Sequence, residues 1–235
     1  MINNDAIANA GERNEAALPE LQLGRLNRRS FMLGSAGLGA AGLAGCASSD
    51  DALRAQAAKF YAAVPDDKFA IPAVDIGRIN TKYFRQTVRY DTKEAPGTIV
   101  IDPANYFLYR VEGDGVATRY GANVSRPGFL WSGEVYVGRK AEWPTWTPPK
   151  EMIQRQPEAR QYANGMPGGL DNPLGARVLY LYKNGVYTVY TIYSTSDPDT
   201  IGSGITSGCT GLLSQDMIDL YSRTPVKTKV IMLPA

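Results

Sequence analysis

Apolar and polar positions alternate in short runs through the second half of the chain, and this period of two predicts strands rather than helices. The segment TIVIDPANYFLYRV at 98–111 predicts a strand, an Asp-Pro-Ala-Asn turn and a second strand, after which GDG at 113–115 turns the chain into VATRYGANV. ARVLYLYKNGVYTVYTIY at 176–193 predicts a hairpin, because Asn184-Gly185 between two alternating runs suits a two-residue turn. VKTKVIML at 226–233 predicts a last strand. One stretch before that last strand has a helical pattern, SQDMIDLYSR at 214–223, with Ser214 as the expected cap and Met217, Ile218 and Leu220 as its apolar contact.

Two regions break this texture. Residues 137–175 hold six prolines together with Trp143 and Trp146, too polar for core strands, and predict a long insertion that forms a lid or a binding wall. Upstream, 51–63 has helix-forming residues but little room for a long helix before Pro65, and 64–97 carries three prolines with no sustained helical period. Residues 47–96 therefore predict an extended N-terminal arm, and 97–235 the main domain.

The first 46 residues predict an address. A polar lead reaches NRRSF at 27–31 and then MLGSAGLGAAGLAGC at 32–46, apolar, glycine-rich and shorter than a membrane-spanning helix needs. Arg28 and Arg29 with Phe31 resemble a twin-arginine export signal, and LAGC at 43–46 resembles a lipoprotein cleavage box ending at a lipidated Cys46. The expectation is a lipoprotein tethered to a membrane in the periplasm. With Cys46 lipidated, Cys209 has no partner for a disulfide.

Composition adds two limits. Among 235 residues, 25 basic and 23 acidic side chains give a formal net charge of +2 with no sustained basic block, which argues against nucleic acid as a partner. The chain has no histidine, which removes the commonest general base.

The segment GSGITSGCTG at 202–211 packs four glycines and four hydroxyl residues around Cys209. Such a loop exposes backbone N–H groups that can stabilise negative charge beside a nucleophile. The same features suit a buried, inert cysteine closing a glycine-rich turn, and both readings stand at this point.

TSGC at 206–209, with Tyr193 in YTIYST sixteen residues before the cysteine, resembles the active-site signature of the bacterial L,D-transpeptidase catalytic domain, the ErfK/YbiS/YcfS/YnhG or YkuD family. PGTIVIDPANYFLYRV, RPGFLWSGEVYVGRKAEWPTWTPPKEMI, GMPGGLDNPLGARVLYL and LLSQDMIDLY continue the likeness in order through the domain. The resemblance implies a mostly β fold, a mixed β sandwich with a long cleft-covering insertion and one helix after the cysteine loop. It implies peptide stems of peptidoglycan as substrate, cleaved between their third and fourth residues through a cysteine thioester. The acceptor would be an amine of another stem or of an outer-membrane protein, and no cofactor or metal is implied.

Residue by residue, Cys209 falls on the nucleophile, Gly208 on the glycine before it, and Ser207 on the residue whose carbonyl helps hold the catalytic imidazole. Trp143 and Trp146 fall on the wall of the substrate cleft. Two positions depart from the pattern: Tyr193 stands where the family has histidine, and Gly211 where it has arginine. Tyrosine, with an ordinary pKa of about 10, accepts a thiol proton poorly at neutral pH. Asp197 and Asp199 read first as residues of the polar loop and only second as substitute proton carriers; restoring histidine at 193 should raise activity, and adding arginine at 211 should raise it further. Three functions stay open: a slow or atypical transpeptidase, a family member that binds stems or regulates active relatives without turnover, and a purely structural lipoprotein domain.

Overall fold

The alternating segments fold into ten strands, β1 (Gln86–Arg89), β2 (Ile99–Asp102), β3 (Phe107–Gly113), β4 (Val116–Ser125), β5 (Gly133–Glu142), β6 (Arg177–Lys183), β7 (Val186–Thr195), β8 (Gly204–Thr206), β9 (Thr210–Leu213) and β10 (Lys229–Met232). Among the described residues three α-helices accompany them, α1 (Ser49–Phe60), α2 (Lys150–Arg155) and α3 (Ser214–Ser222), with four short 3-10 turns. This computed structural model describes residues 49–195 and 197–235. Arg28, Arg29, Phe31 and Cys46 lie outside them.

Hydrogen bonding runs in the order β1-β4-β3-β2-β10-β5-β6-β7-β9, and β9 returns to β4. β4 is long enough to serve both neighbours: its first half pairs with β3, while Ala122 and Asn123 pair with Leu212 and Gly211 of β9. The layers expected as a sandwich are thus joined in one mixed sheet, with β2–β10, β7–β9 and β4–β8 parallel. The inward positions of these strands form the core, where Ile99, Leu108, Val137, Leu179, Ile192, Leu212 and Val230 are wholly buried with Met217 and Leu220 of α3. At about 25 cal/mol per Å² of apolar surface, this cluster supplies the main stabilisation. Asn184 and Gly185 take left-handed angles, φ 49° and 80°, and make the expected tight turn from β6 to β7.

The arm is less extended than its prolines imply. Its start forms the twelve-residue helix α1, favoured by its alanines, by Asp50 and Asp51 in the first turn and by Lys59 in the last. Its end becomes β1, paired with β4 from Gln86↔Arg119 to Arg89↔Val116. Ala57 of α1 and, between the two elements, Tyr61, Ile79, Tyr83 and Phe84 bury themselves against Ile201 and Leu213, the residues flanking the cysteine segment. A second correction concerns Ser214. Leu213 occupies the cap position of α3 with no side-chain bond, so Ser214 is the first helical residue.

Two carboxylates, one half-buried and one fully buried, fasten the arm. Asp67 accepts from the Trp143 indole N–H at 2.6 Å and pairs with Arg177, which holds its carboxyl below the usual range against the opposing effect of burial. Asp216 is fully buried; it accepts from the Tyr61 hydroxyl at 3.0 Å and faces Arg85 at 3.5 Å. Burial dominates there and pushes Asp216 up to about 7.

A raised carboxylate favours the folded state while it is protonated. The contribution is complete below the unfolded pKa and is lost as pH rises through about 7. The stability advantage of the wild type over Asp216→Asn should therefore shrink by about 4 kcal/mol between about pH 4 and about pH 8. Urea unfolding of both proteins across that range checks this; a constant difference would remove Asp216 as the source.

Candidate active site at Cys209

Cys209 is the free cysteine of the described residues and is half-buried at the entry to β9. The loop before it is shaped by Gly208, whose φ of +115° suits glycine and whose missing Cβ would meet the Tyr190 ring at 2.3 Å. Tyr190 in turn stacks on Trp131, with ring centroids 4.9 Å apart and planes 4° apart. The Trp131 indole N–H donates to the Gly208 carbonyl at 3.0 Å, and the Thr206 hydroxyl donates to the Cys209 carbonyl at 2.5 Å. An aromatic pair and a hydroxyl thus fix the loop on both sides of the thiol.

The sulfur faces a carbonyl. Cys209 Sγ donates to the Val189 oxygen at 3.9 Å, and Val189 itself sits at φ 66°, a left-handed conformation that a β-branched residue rarely adopts. The cause is a register shift in the β6–β7 pairing between Tyr180 and Tyr182. Thr188 covers the break by donating its hydroxyl to the Leu181 carbonyl at 2.7 Å and accepting from the Tyr190 N–H at 3.3 Å. Strain in β7 therefore aims an acceptor at the thiol.

Two phenols flank it. Burial first, and the neighbouring Cys209 charge second, push both Tyr187 and Tyr193 up to about 12. At neutral pH both are intact hydroxyls, able to donate a hydrogen bond and unable to take a thiol proton.

Tyr193 belongs to a row of three residues crossing adjacent strands. Asn123 of β4 and Tyr193 of β7 both lie opposite Gly211 of β9. Asn123 is wholly buried; its Oδ1 accepts from the Gly211 N–H at 2.8 Å and from the Tyr193 hydroxyl at 3.5 Å, while its Nδ2 donates to Thr200 Oγ1 at 2.9 Å. The carboxamide occupies the space above the glycine, since a Cβ on Gly211 would lie 2.3 Å from Oδ1. Thr200 continues the network to the Asp197 carbonyl at 2.6 Å.

Other residues singled out in the sequence are placed differently. Asp197 caps the turn after it by accepting from the Asp199 N–H, and Asp199 pairs with Arg78, the structural loop roles read first from the sequence. Ser207 is exposed beside Cys209. Trp143, expected over the cleft, is buried with Ile71 and Ala176 and anchors the arm through Asp67, because the chain following β5 turns inward there. Trp146 bridges to Met166 within the insertion and packs on Tyr162. The tryptophan against the cysteine loop is Trp131, which sequence reasoning passed over, as it did Asn123 and Val189. A buried asparagine within the VATRYGANV strand was the available signal, since asparagine disfavours strands. No group of His, Cys, Asp and Glu suited to a metal ion occurs among the described residues.

The structure is thus a mostly β domain with a half-buried thiol on a loop shaped by glycine. The chain matches the L,D-transpeptidase catalytic domain family (YkuD) over residues 96–232 and belongs to it. It is 34% identical over 98 residues to a candidate L,D-transpeptidase of Fuscovulum blasticum named for the ATP synthase subunits region, a match covering 42% of this chain and 48% of that one. It is also 34% identical over 95 residues to the probable L,D-transpeptidase YbiS of Escherichia coli K12, covering 40% of this chain and 29% of that one. The matched stretch is thus less than half of either relative. A crystal structure from Brucella melitensis, described as a probable carnitine operon oxidoreductase caia, shares 42% identity with TM-score 0.46 and covers 68% of this chain and 99% of that one.

Proposed function

We propose that this protein acts on peptidoglycan peptide stems as an L,D-transpeptidase of low intrinsic rate, with Cys209 as the acylated residue. The observation that carries the proposal is the half-buried thiol on a loop fixed by Trp131, Tyr190 and Thr206, within a domain of that family. Attack of the thiolate on the stem carbonyl forms the C–S bond and breaks the C–N bond; the expelled amine takes up a proton. An acceptor amine then displaces the thiol to complete the transfer. The Tyr193 and Tyr187 hydroxyls serve as donors to developing negative charge, not as bases, and the thiol proton leaves to water. Export and lipidation at Cys46 belong to the same reading, since the substrate lies outside the cytoplasmic membrane. Among the described residues no helix is long and apolar enough to cross a membrane.

The expected result is an adduct on Cys209, seen by intact mass after incubation with tetrapeptide stems. It should accumulate faster as pH rises from about 7 to about 9, because the thiolate is the nucleophile, and should be absent in Cys209→Ala. The absence of a neutral-pH base favours a second reading, a stem binder without turnover. Demonstrated stem binding with no adduct at any pH would establish that alternative and end the enzymatic one.

A further inference from the structure

Registers across four adjacent strands place Lys229 of β10 opposite Tyr136 of β5, Tyr136 opposite Tyr182 of β6, and Tyr182 opposite Tyr187 of β7. Tyr136 points outward, between the buried Val135 and Val137. The rings touch in sequence, at 6.3 Å between Tyr136 and Tyr182 and 5.5 Å between Tyr182 and Tyr187. Tyr182 lies flat across β5 because residue 138 is glycine: a Cβ there would be 2.2 Å from the ring. Tyr187 stands two residues before Val189, the residue whose carbonyl meets the Cys209 sulfur. One end of this tyrosine pavement is therefore the thiol.

The other end is a cavity of about 540 Å³ lined by Glu134, Tyr136, the Lys183–Gly185 turn, Lys227 and Lys229. Lys229 is shared between Glu94 and Glu134 at 2.9 and 3.0 Å. The ammonium groups of Lys183 and Lys227 have no carboxylate partner among the described residues, which leaves the cavity with uncompensated positive charge. Lys227 is held there by a backbone at φ 75°, an unusual angle for lysine, with its N–H bonded to the Val137 carbonyl at 2.7 Å. Three strand spacings separate Lys229 from Tyr187, roughly 15 Å, the reach of an extended peptide of about four or five residues.

We infer that the tyrosine row and the lysine-lined cavity form a binding site for the distal part of an extended peptide bearing free carboxylates, whose near end lies at Cys209. The inference rests on the peptide-directed reading above and names where the rest of the bound chain goes. The ring faces bury its backbone and aliphatic atoms, and Lys183 and Lys227 meet its carboxylates.

The test uses the full chain carrying Cys209→Ala, so that binding is read without acylation. Fluorescence anisotropy compares a labelled pentapeptide with two free carboxylates against its fully amidated twin. The acidic peptide should bind at least about fivefold tighter at low salt, and the preference should vanish at about 0.5 M salt and in Lys183→Gln/Lys227→Gln. Both lysines are exposed, so the double variant should keep its fold, which circular dichroism verifies. Equal affinity for the two peptides, or a preference that survives the double replacement, overturns the inference. So does lysine-dependent binding of anionic phospholipid vesicles without lysine-dependent peptide binding. Acylation of Cys209 in the parent chain is measured separately: peptide preference without acylation defeats the catalytic reading alone, and acylation without the preference defeats this one alone.

Discussion

Gly211→Arg alone is expected to destabilise the domain by about 2–4 kcal/mol and to lower, not raise, any acylation of Cys209. The added Cβ would overlap Asn123 Oδ1, and Asn123 is wholly buried with its carboxamide bonded on both sides. Moving it breaks the bonds to the Gly211 N–H and to Thr200, leaving buried polar groups unpaired at roughly 1–3 kcal/mol each. The further gain expected from adding arginine here to Tyr193→His is therefore proposed to require replacement of the asparagine as well. Asn123→Gly with Gly211→Arg should recover at least about half of the loss, since the two sites share one volume and cannot be additive. Thermal and urea unfolding of the two single variants and the pair measure this. Full additivity would show that Asn123 and Gly211 are independent, and a single Gly211→Arg as stable as wild type would remove the overlap altogether.

The same pair shows what was legible in the chain. The strand runs, the Asn184-Gly185 turn and the helix after Cys209 could be read because alternation and turn chemistry are local properties. The cysteine loop was legible for the same reason: four glycines within ten residues leave few conformations open. Asn123 and Gly211 are 88 positions apart, and only the β4–β9 pairing brings them together. Trp131 meets the loop across 77 positions by the same kind of long-range contact. Trp143 misled because a proline-rich setting suggests an exposed loop, whereas its buried indole found a half-buried carboxylate in the arm. The carbonyl of Val189 was invisible because it depends on a register shift that no pattern of residue types announces.

Tyr193→His should raise the rate of Cys209 acylation at about pH 7 by at least about tenfold, the low end of general-base contributions. The phenol cannot act as base because it stays protonated up to about 12. An imidazole, with an ordinary pKa of about 6.5, exists largely as the neutral acceptor at that pH. Asn123 Oδ1, which accepts from the Tyr193 hydroxyl at 3.5 Å, lies beyond the end of the shorter imidazole, so the expected gain is set at the low end for imperfect placement. Unlike arginine at 211, histidine is smaller than the residue it replaces, so its cost is a partial cavity and not an overlap. Wild-type acylation should climb steadily with pH as thiolate forms in bulk water, whereas the Tyr193→His rate should level off above the imidazole pKa. Tyr193→Phe separates the remaining role: if the hydroxyl donates to developing charge, its loss should slow acylation several-fold at every pH without changing the slope. Stopped-flow acylation of the three proteins by a carbapenem from about pH 6 to about pH 10 reads both quantities. A folded Tyr193→His protein that acylates no faster than wild type at neutral pH would show that the missing base is not what limits Cys209.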